Sequence, residues 1–172
     1  MKGNSMAEHV MTELVADEIL LGERNYAAAL NLVIEAAEHE LLIFDEDLSR
    51  GDYASRNRFE LIRAFLAKGR QNRLVIVLHD TTYFTKHCPL LYGLLEIYGH
   101  VMTVYETNDQ AKVAKDCFVI ADQMHYLRRF HVDQARFRYA FNDAETVNML
   151  NMRFNGLLGA TSQSVSITNL GL

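Results

Sequence analysis

The chain has 172 residues, 49% of them hydrophobic and 23% charged, the balance of a globular fold and not of a disordered chain or a fibre. Seventeen Lys+Arg against 22 Asp+Glu leave −5 at pH 7, which argues against bulk nucleic-acid binding but leaves room for a small local basic site. Two cysteines, Cys88 and Cys117, without C-x-x-C spacing, exclude a disulfide scaffold and point to a reducing, cytoplasmic setting, and no apolar run approaches the ~20 residues of a membrane span.

Residues 1–17 read as a flexible or helical N-terminal segment, since Val10, Leu14 and Glu18 suit a helix as well as a coil. A short strand around Ile19–Leu21 feeds a helical stripe of Tyr26, Leu30, Val33, Ile34 and Ala37. Leu41–Phe44, Leu74–Leu78, Val101–Tyr105 and Cys117–Ala121 are short, nearly continuous apolar runs, the mark of strands covered on both faces. Between them, Phe59, Ile62, Phe65 and Leu66 predict a helix ending at Gly69, and Pro89 opens another that Gly99 closes. His125–Phe130 and Phe137–Phe141 predict two strands joined by a turn at Asp133-Gln134. A last helix follows, with Asp143 as its cap and Val147, Leu150 and Phe154 inward. The Ser/Thr/Asn-rich tail 161–172 reads as loosely ordered. One α/β domain over 18–160 results, with a mixed, mostly parallel sheet and helices on both faces.

Phosphate-binding glycine loops, nucleophile elbows and zinc helices are absent. Asp45-x-Asp47 at a strand's carboxyl end offers hard oxygens for Mg²⁺, although an acidic turn needs the same residues. His79-Asp80 ends another strand, with His87 and Cys88 nearby at a spacing that matches no common metal site. Arg128, Arg129, His131, Arg136 and Arg138 form the densest basic set; guanidinium forks suit phosphate or carboxylate, and the spacing of Arg136 and Arg138 also fits a strand's solvent face.

Lys115-Asp116-Cys117-Phe118-Val119-Ile120-Ala121-Asp122 carries a resemblance. With the preceding strands and helices, a helix ending "AKG" before "RLVIVLHD", and a final helix bearing Phe154 and Leu157-Leu158, the stretch from Ile19 to Ala160 resembles one half-unit of the phospholipase D superfamily. It is most similar to bacterial phospholipase-D-like proteins. The superfamily's strand reads H-x-K-x-x-x-x-D and is followed by G-S-x-N. Counted back from Asp122, Lys115 stands at the histidine position and Cys117 at the lysine position, and Arg129-Phe130-His131-Val132 replaces G-S-x-N. The superfamily's chemistry needs an imidazole nucleophile, whereas a lysine side chain is an ammonium at neutral pH with no lone pair for attack.

The resemblance therefore implies the fold without the superfamily's catalytic set. It implies a binding or scaffold protein, with Lys115, Arg128, Arg129 and His131 facing an anionic, phosphate-containing ligand, or a protein partner in its place. No cofactor or metal is expected. Because superfamily members pair two half-units across a twofold axis, a single half-unit is expected to form a homodimer through Lys115–Asp122 and His125–Phe141. The alternative is a phosphoester hydrolase with a rebuilt site, using His79, Asp80, His125 and His131, or Asp45 and Asp47 with Mg²⁺. It requires these groups to converge in one pocket.

Overall fold

The structure, a computed structural model, describes residues 13–167; the expectations for 1–12 and 168–172 lie outside the described residues. An eight-stranded sheet runs in the order β1-β7-β6-β5-β2-β3-β4-β8. After β1 (Leu20–Leu21), α1 (Glu23–Ala36) leads to β2 (Glu40–Asp45), α2 (Arg56–Ala67) to β3 (Arg73–Leu78), and α3 (Thr82–His87) with α4 (Pro89–Tyr98) to β4 (Met102–Thr107). A 3-10 turn (Asp109–Val113) precedes β5 (Cys117–Ala121), β6 (His125–His131) and β7 (Gln134–Ala140), and α5 (Ala144–Gly159) returns the chain to β8 (Thr161–Ser164).

The four apolar runs lie side by side in one sheet with helices on both faces, as their continuous hydrophobicity predicts. The sheet is mixed, but its parallel part is confined to β2–β3–β4, and the other pairings are antiparallel. Helical crossovers join the parallel strands. Between β5, β6 and β7 only tight turns intervene, and a tight turn reverses direction. A second departure is β8: Thr161–Ser164, expected in a loosely held tail, pair antiparallel with β4. An exposed polar edge strand carries no hydrophobic period, so nothing in its composition marked it.

One face of the sheet carries α1, α2 and α4 over a core that includes Leu30, Val33, Ile62, Phe65, Leu91 and Leu94. The other carries α5, which lies over β4, β5 and β6 through Val147, Leu150, Phe154 and Leu157. Asp143 caps α5 by accepting the Thr146 amide at 3.1 Å, a contact typically worth ~1 kcal/mol. The loop after β2 is held down by Gly51, whose φ of +82° favours glycine and whose Cα leaves no room for a side chain: a Cβ there would lie 2.5 Å from Leu30 Cδ1. Arg58, in the first turn of α2, is buried beneath this loop and donates from Nη2 to the carbonyls of Gly51 (2.8 Å) and Ala27 (3.0 Å).

Candidate functional site

The carboxyl ends of β2, β3 and β4 and the amino end of β5 meet at one edge of the sheet, the place where open α/β sheets present ligands. A cleft of about 540 Å³ opens there. Its walls come from Glu46 after β2, His79 to Thr82 after β3, Glu106 on β4, Lys112 and Lys115 before β5, and Gln163 on β8.

Each carboxylate in the cleft has a structural task. Glu106 accepts from the Thr81 amide at 3.0 Å, the Thr81 hydroxyl at 2.7 Å and the Gln163 amide at 3.2 Å, and so ties the start of α3 to β8. Asp80 accepts the Thr82 amide at 2.7 Å, and its hydrogen bonds to Thr82 hold its carboxyl below the usual range. Glu46 pairs with Arg50 at 3.2 Å. The imidazole of His79 is spoken for at both nitrogens: Nε2 lies 2.7 Å from the Ala114 carbonyl and Nδ1 2.7 Å from the Thr107 hydroxyl. A carbonyl can only accept, so Nε2 carries the proton and Nδ1 accepts from Thr107. Burial pushes the His79 pKa down, which keeps the ring neutral at pH 7. Such a ring fixes the β4–β5 connection and has no free lone pair for a substrate.

The sequence-predicted groups do not assemble into one catalytic set. Lys115 reaches the cleft and is exposed. Cys117 is fully buried on the α1 face, where its thiol meets the Asp45 carboxylate and burial drives its pKa well up. Asp122 stands past the opposite end of β5, seven residues from Lys115, or roughly 23 Å of extended strand. Its carboxylate accepts the amides of Glu38, His39 and Glu40 at 2.7–2.9 Å, clamping the α1–β2 loop. The motif aspartate is thus a brace, at a positive φ of 54°. His125 sits at that far edge as well, against Phe141, with Nδ1 accepting the Asn142 amide.

Asp45 and Asp47, the candidate Mg²⁺ pair, are engaged within their own turn. Asp45 Oδ1 accepts the amides of Asp47 (3.1 Å) and Leu48 (2.9 Å), and Asp47 accepts the Ser49 amide and hydroxyl. Both carboxylates point into their own turn. Burial raises the Asp45 pKa to about 6. Among the described residues, no group of three or more His, Cys, Asp or Glu side chains could hold a metal.

The basic set splits by strand alternation. Arg129, expected to face an anion, is completely buried: its guanidinium grips Glu23 with two bonds of 2.8 and 2.7 Å, donates to the carbonyls of His131 and Val132, and lies over the Tyr26 ring. Those bonds hold the Glu23 carboxyl below its usual range. Arg128, Arg136 and Arg138 face the other side of the sheet, away from the cleft. His131 is exposed on the rim beside β5, outside the cleft lining, with Nδ1 accepting the Asp133 amide at 3.1 Å. Sequence reasoning missed Lys112 and Glu106, which with Lys115, Glu46 and Asp80 make up the charged lining of the cleft. Their positions follow only from the 3-10 turn and the β4–β8 pairing.

Solved structures with this fold include NucT from Helicobacter pylori (TM-score 0.58, 14% identity, 84% of this chain and 96% of that one). Nuc from Salmonella typhimurium, described as a phospholipase D family member, aligns with a TM-score of 0.57 and 8% identity over 86% of this chain and 97% of its own. TrmBL2, an archaeal chromatin protein described as having a novel mode of DNA binding, aligns at 0.63 and 13% identity; 89% of this chain is covered, and the chain spans 56% of TrmBL2. At these identities the likeness establishes a phospholipase-D-like fold. No match is found among curated proteins. Residues 22–167 match the family described as a domain of unknown function (DUF7931), and the chain belongs to that family.

Proposed function

We propose that the chain is a non-catalytic binding module on a phospholipase-D-like half-unit, and that its cleft takes a small phosphate-containing anion on Lys115 and Lys112. The observation that carries this reading is the pairing of His79. The cleft's imidazole is committed at both nitrogens, the thiol at the superfamily's lysine position is sealed in the core, and the exposed ammonium of Lys115 stands where a nucleophile would be needed. A phosphate meets the ammonium groups of Lys115 and Lys112 there, beside the engaged carboxylates of Glu46, Asp80 and Glu106, and no free imidazole. The cleft's carboxylates are each engaged by fold amides, hydroxyls or Arg50, and Lys112 is paired with Asp109 at 3.4 Å, so Lys115 is the cleft cation without an acid partner among the described residues.

A second copy closes the open side of the cleft in this reading. Exposed Lys115 and His131 flank the same rim, and twofold pairing is the commonest closed symmetry. Light scattering then returns about twice the 19.7 kDa chain mass at micromolar concentration; a monomer mass removes the dimer from the proposal.

The experiment for the binding reading has two arms. Bis-p-nitrophenyl phosphate is not turned over with or without Mg²⁺, and 10 mM inorganic phosphate raises the melting temperature above that in chloride of equal ionic strength. The K112A/K115A variant loses the shift. Turnover abolished by Lys115→Ala overturns the non-catalytic reading. A phosphate shift that is absent, or intact in the double variant, overturns the ligand assignment.

A further inference from the structure

On the face of the sheet opposite α1, α5 covers β4, β5 and the Tyr126 end of β6, and leaves the rest of β6 with β7 and β1 less covered. Strand alternation places Tyr126, Arg128 and Phe130 of β6 and Arg136 and Arg138 of β7 on this open face, with Arg153 of α5 at its border. Ile19 and Leu21, 52% and 65% exposed, continue it along β1. In a chain with a net charge of −5, this is a local concentration of guanidinium groups.

Two features of the face go unexplained by the fold. Arg128 and Arg138 are direct cross-strand partners, and like charges opposite one another destabilise a ladder. Their acids only partly offset this. Asp116 is shared between Arg128, at 3.2 Å, and Arg153; Asp17 reaches Arg138 at 3.8 Å; Asp143, at the α5 cap, is bound to Thr146. Arg136 has no acid within ion-pair distance among the described residues, and the Arg138 Nε is buried without a partner. The second feature is aromatic. Half-buried Phe130 has two guanidinium groups within cation–π distance, Arg136 at 5.4 Å and Arg128 at 5.7 Å from its ring centre. Beside it, Tyr126, Phe130, Arg128, Arg138 and Thr146 line a pocket of about 170 Å³.

We infer that this face is a binding platform for single-stranded nucleic acid. Charged forks two residues apart on a strand, roughly 7 Å along it, track an extended phosphate backbone. An aromatic ring with guanidinium groups beside it stacks a base of any identity, and the small pocket next to it, lined by Tyr126 and Arg138, takes a second. An acidic peptide would satisfy the arginines but would make no use of the rings. The surface is independent of the cleft, so its test is separable from that of the phosphate reading.

The probe is a 5′-fluorescein-labelled dT12 followed by anisotropy against the full chain. Binding saturates below roughly 100 µM protein in 50 mM NaCl, the range of sequence-independent contacts. With about three phosphates neutralised, the slope on a single strand is about −2, so 200 mM NaCl weakens binding roughly 20-fold. R136E/R138E weakens it at least tenfold, Phe130→Ala severalfold, and K112E/K115E leaves it unchanged. The arginines and Phe130 sit on an exposed face, and circular dichroism checks that each variant folds. Three results overturn the inference: no binding at 50 mM NaCl, loss in K112E/K115E instead of R136E/R138E, or equal competition by a poly-glutamate of the same length, which assigns the face to an acidic protein segment.

Discussion

Asp45→Asn separates a structural carboxylate from a metal ligand. Burial raises the Asp45 pKa from 3.8 to about 6, against the opposing pull of the Leu48 and Asp47 amides. A carboxyl that is harder to ionise when folded costs stability at high pH, the reverse of a paired aspartate. The penalty is absent below the unfolded pKa of ~3.9, grows as pH rises towards 6, and is complete above it. Two units correspond to about 3 kcal/mol at full development. Both backbone amides bond to the same oxygen, Oδ1, which asparagine retains, so the turn survives the substitution. The variant should therefore be more stable than the parent at pH 7.5, with a gain about 2 kcal/mol larger there than at pH 4.5. Urea denaturation followed by far-UV circular dichroism measures both, since the chain has no Trp. A gain that does not change with pH refutes the buried, unpaired carboxylate. A variant that is instead less stable at pH 7.5 than at pH 4.5, relative to the parent, means that a cation holds Asp45, and with it the Mg²⁺ reading returns.

Asp122→Ala should cost about 2–3 kcal/mol in chemical denaturation, because three amides lose one charged acceptor, while the phosphate-induced shift at the cleft persists. A variant of unchanged stability would put the brace in doubt. The Arg129–Glu23 pair should respond asymmetrically. Glu23→Ala strands a fully buried guanidinium and costs about 3–4 kcal/mol, whereas Arg129→Met leaves a half-exposed carboxylate that water can reclaim and costs less than half as much. Because Arg129 lowers the Glu23 pKa, the pair's contribution is complete above the unfolded pKa and fades as pH falls through the folded one, so both variants should approach the parent in acid.

What the sequence made legible was the burial of whole segments. Leu41–Phe44, Leu74–Leu78 and Cys117–Ala121 are apolar on both faces, so their place in the middle of a covered sheet needed no tertiary information. Strand direction was less accessible. It depends on whether a connection is long enough to cross over, and the stretch before β5, a 3-10 turn with no helical stripe, gives no helix to count. β8 escaped because an edge strand that buries almost nothing carries no period.

The site was legible only as a set of residue types, and the reason lies in the period of a strand. Arg128 and Arg129 are neighbours in sequence and carry the same group, yet the pleat sends one to an open face beside Phe130 and the other into the core against Glu23. A motif read as a string gives both the same role. The same holds along β5: Lys115 and Asp122 belong to one written motif, but a strand's length lies between them, so one meets a cleft while the other clamps a loop. Whether a polar residue acts on a ligand or on its own fold is decided by how many partners the chain already supplies. His79 has two and is silent, Asp122 has three and is structural, and Lys115 and Arg136 have no acid within ion-pair distance among the described residues. Those two lie on different surfaces, the cleft rim and the β6–β7 face, and that separation is why the two proposed phosphate contacts can be tested one without the other.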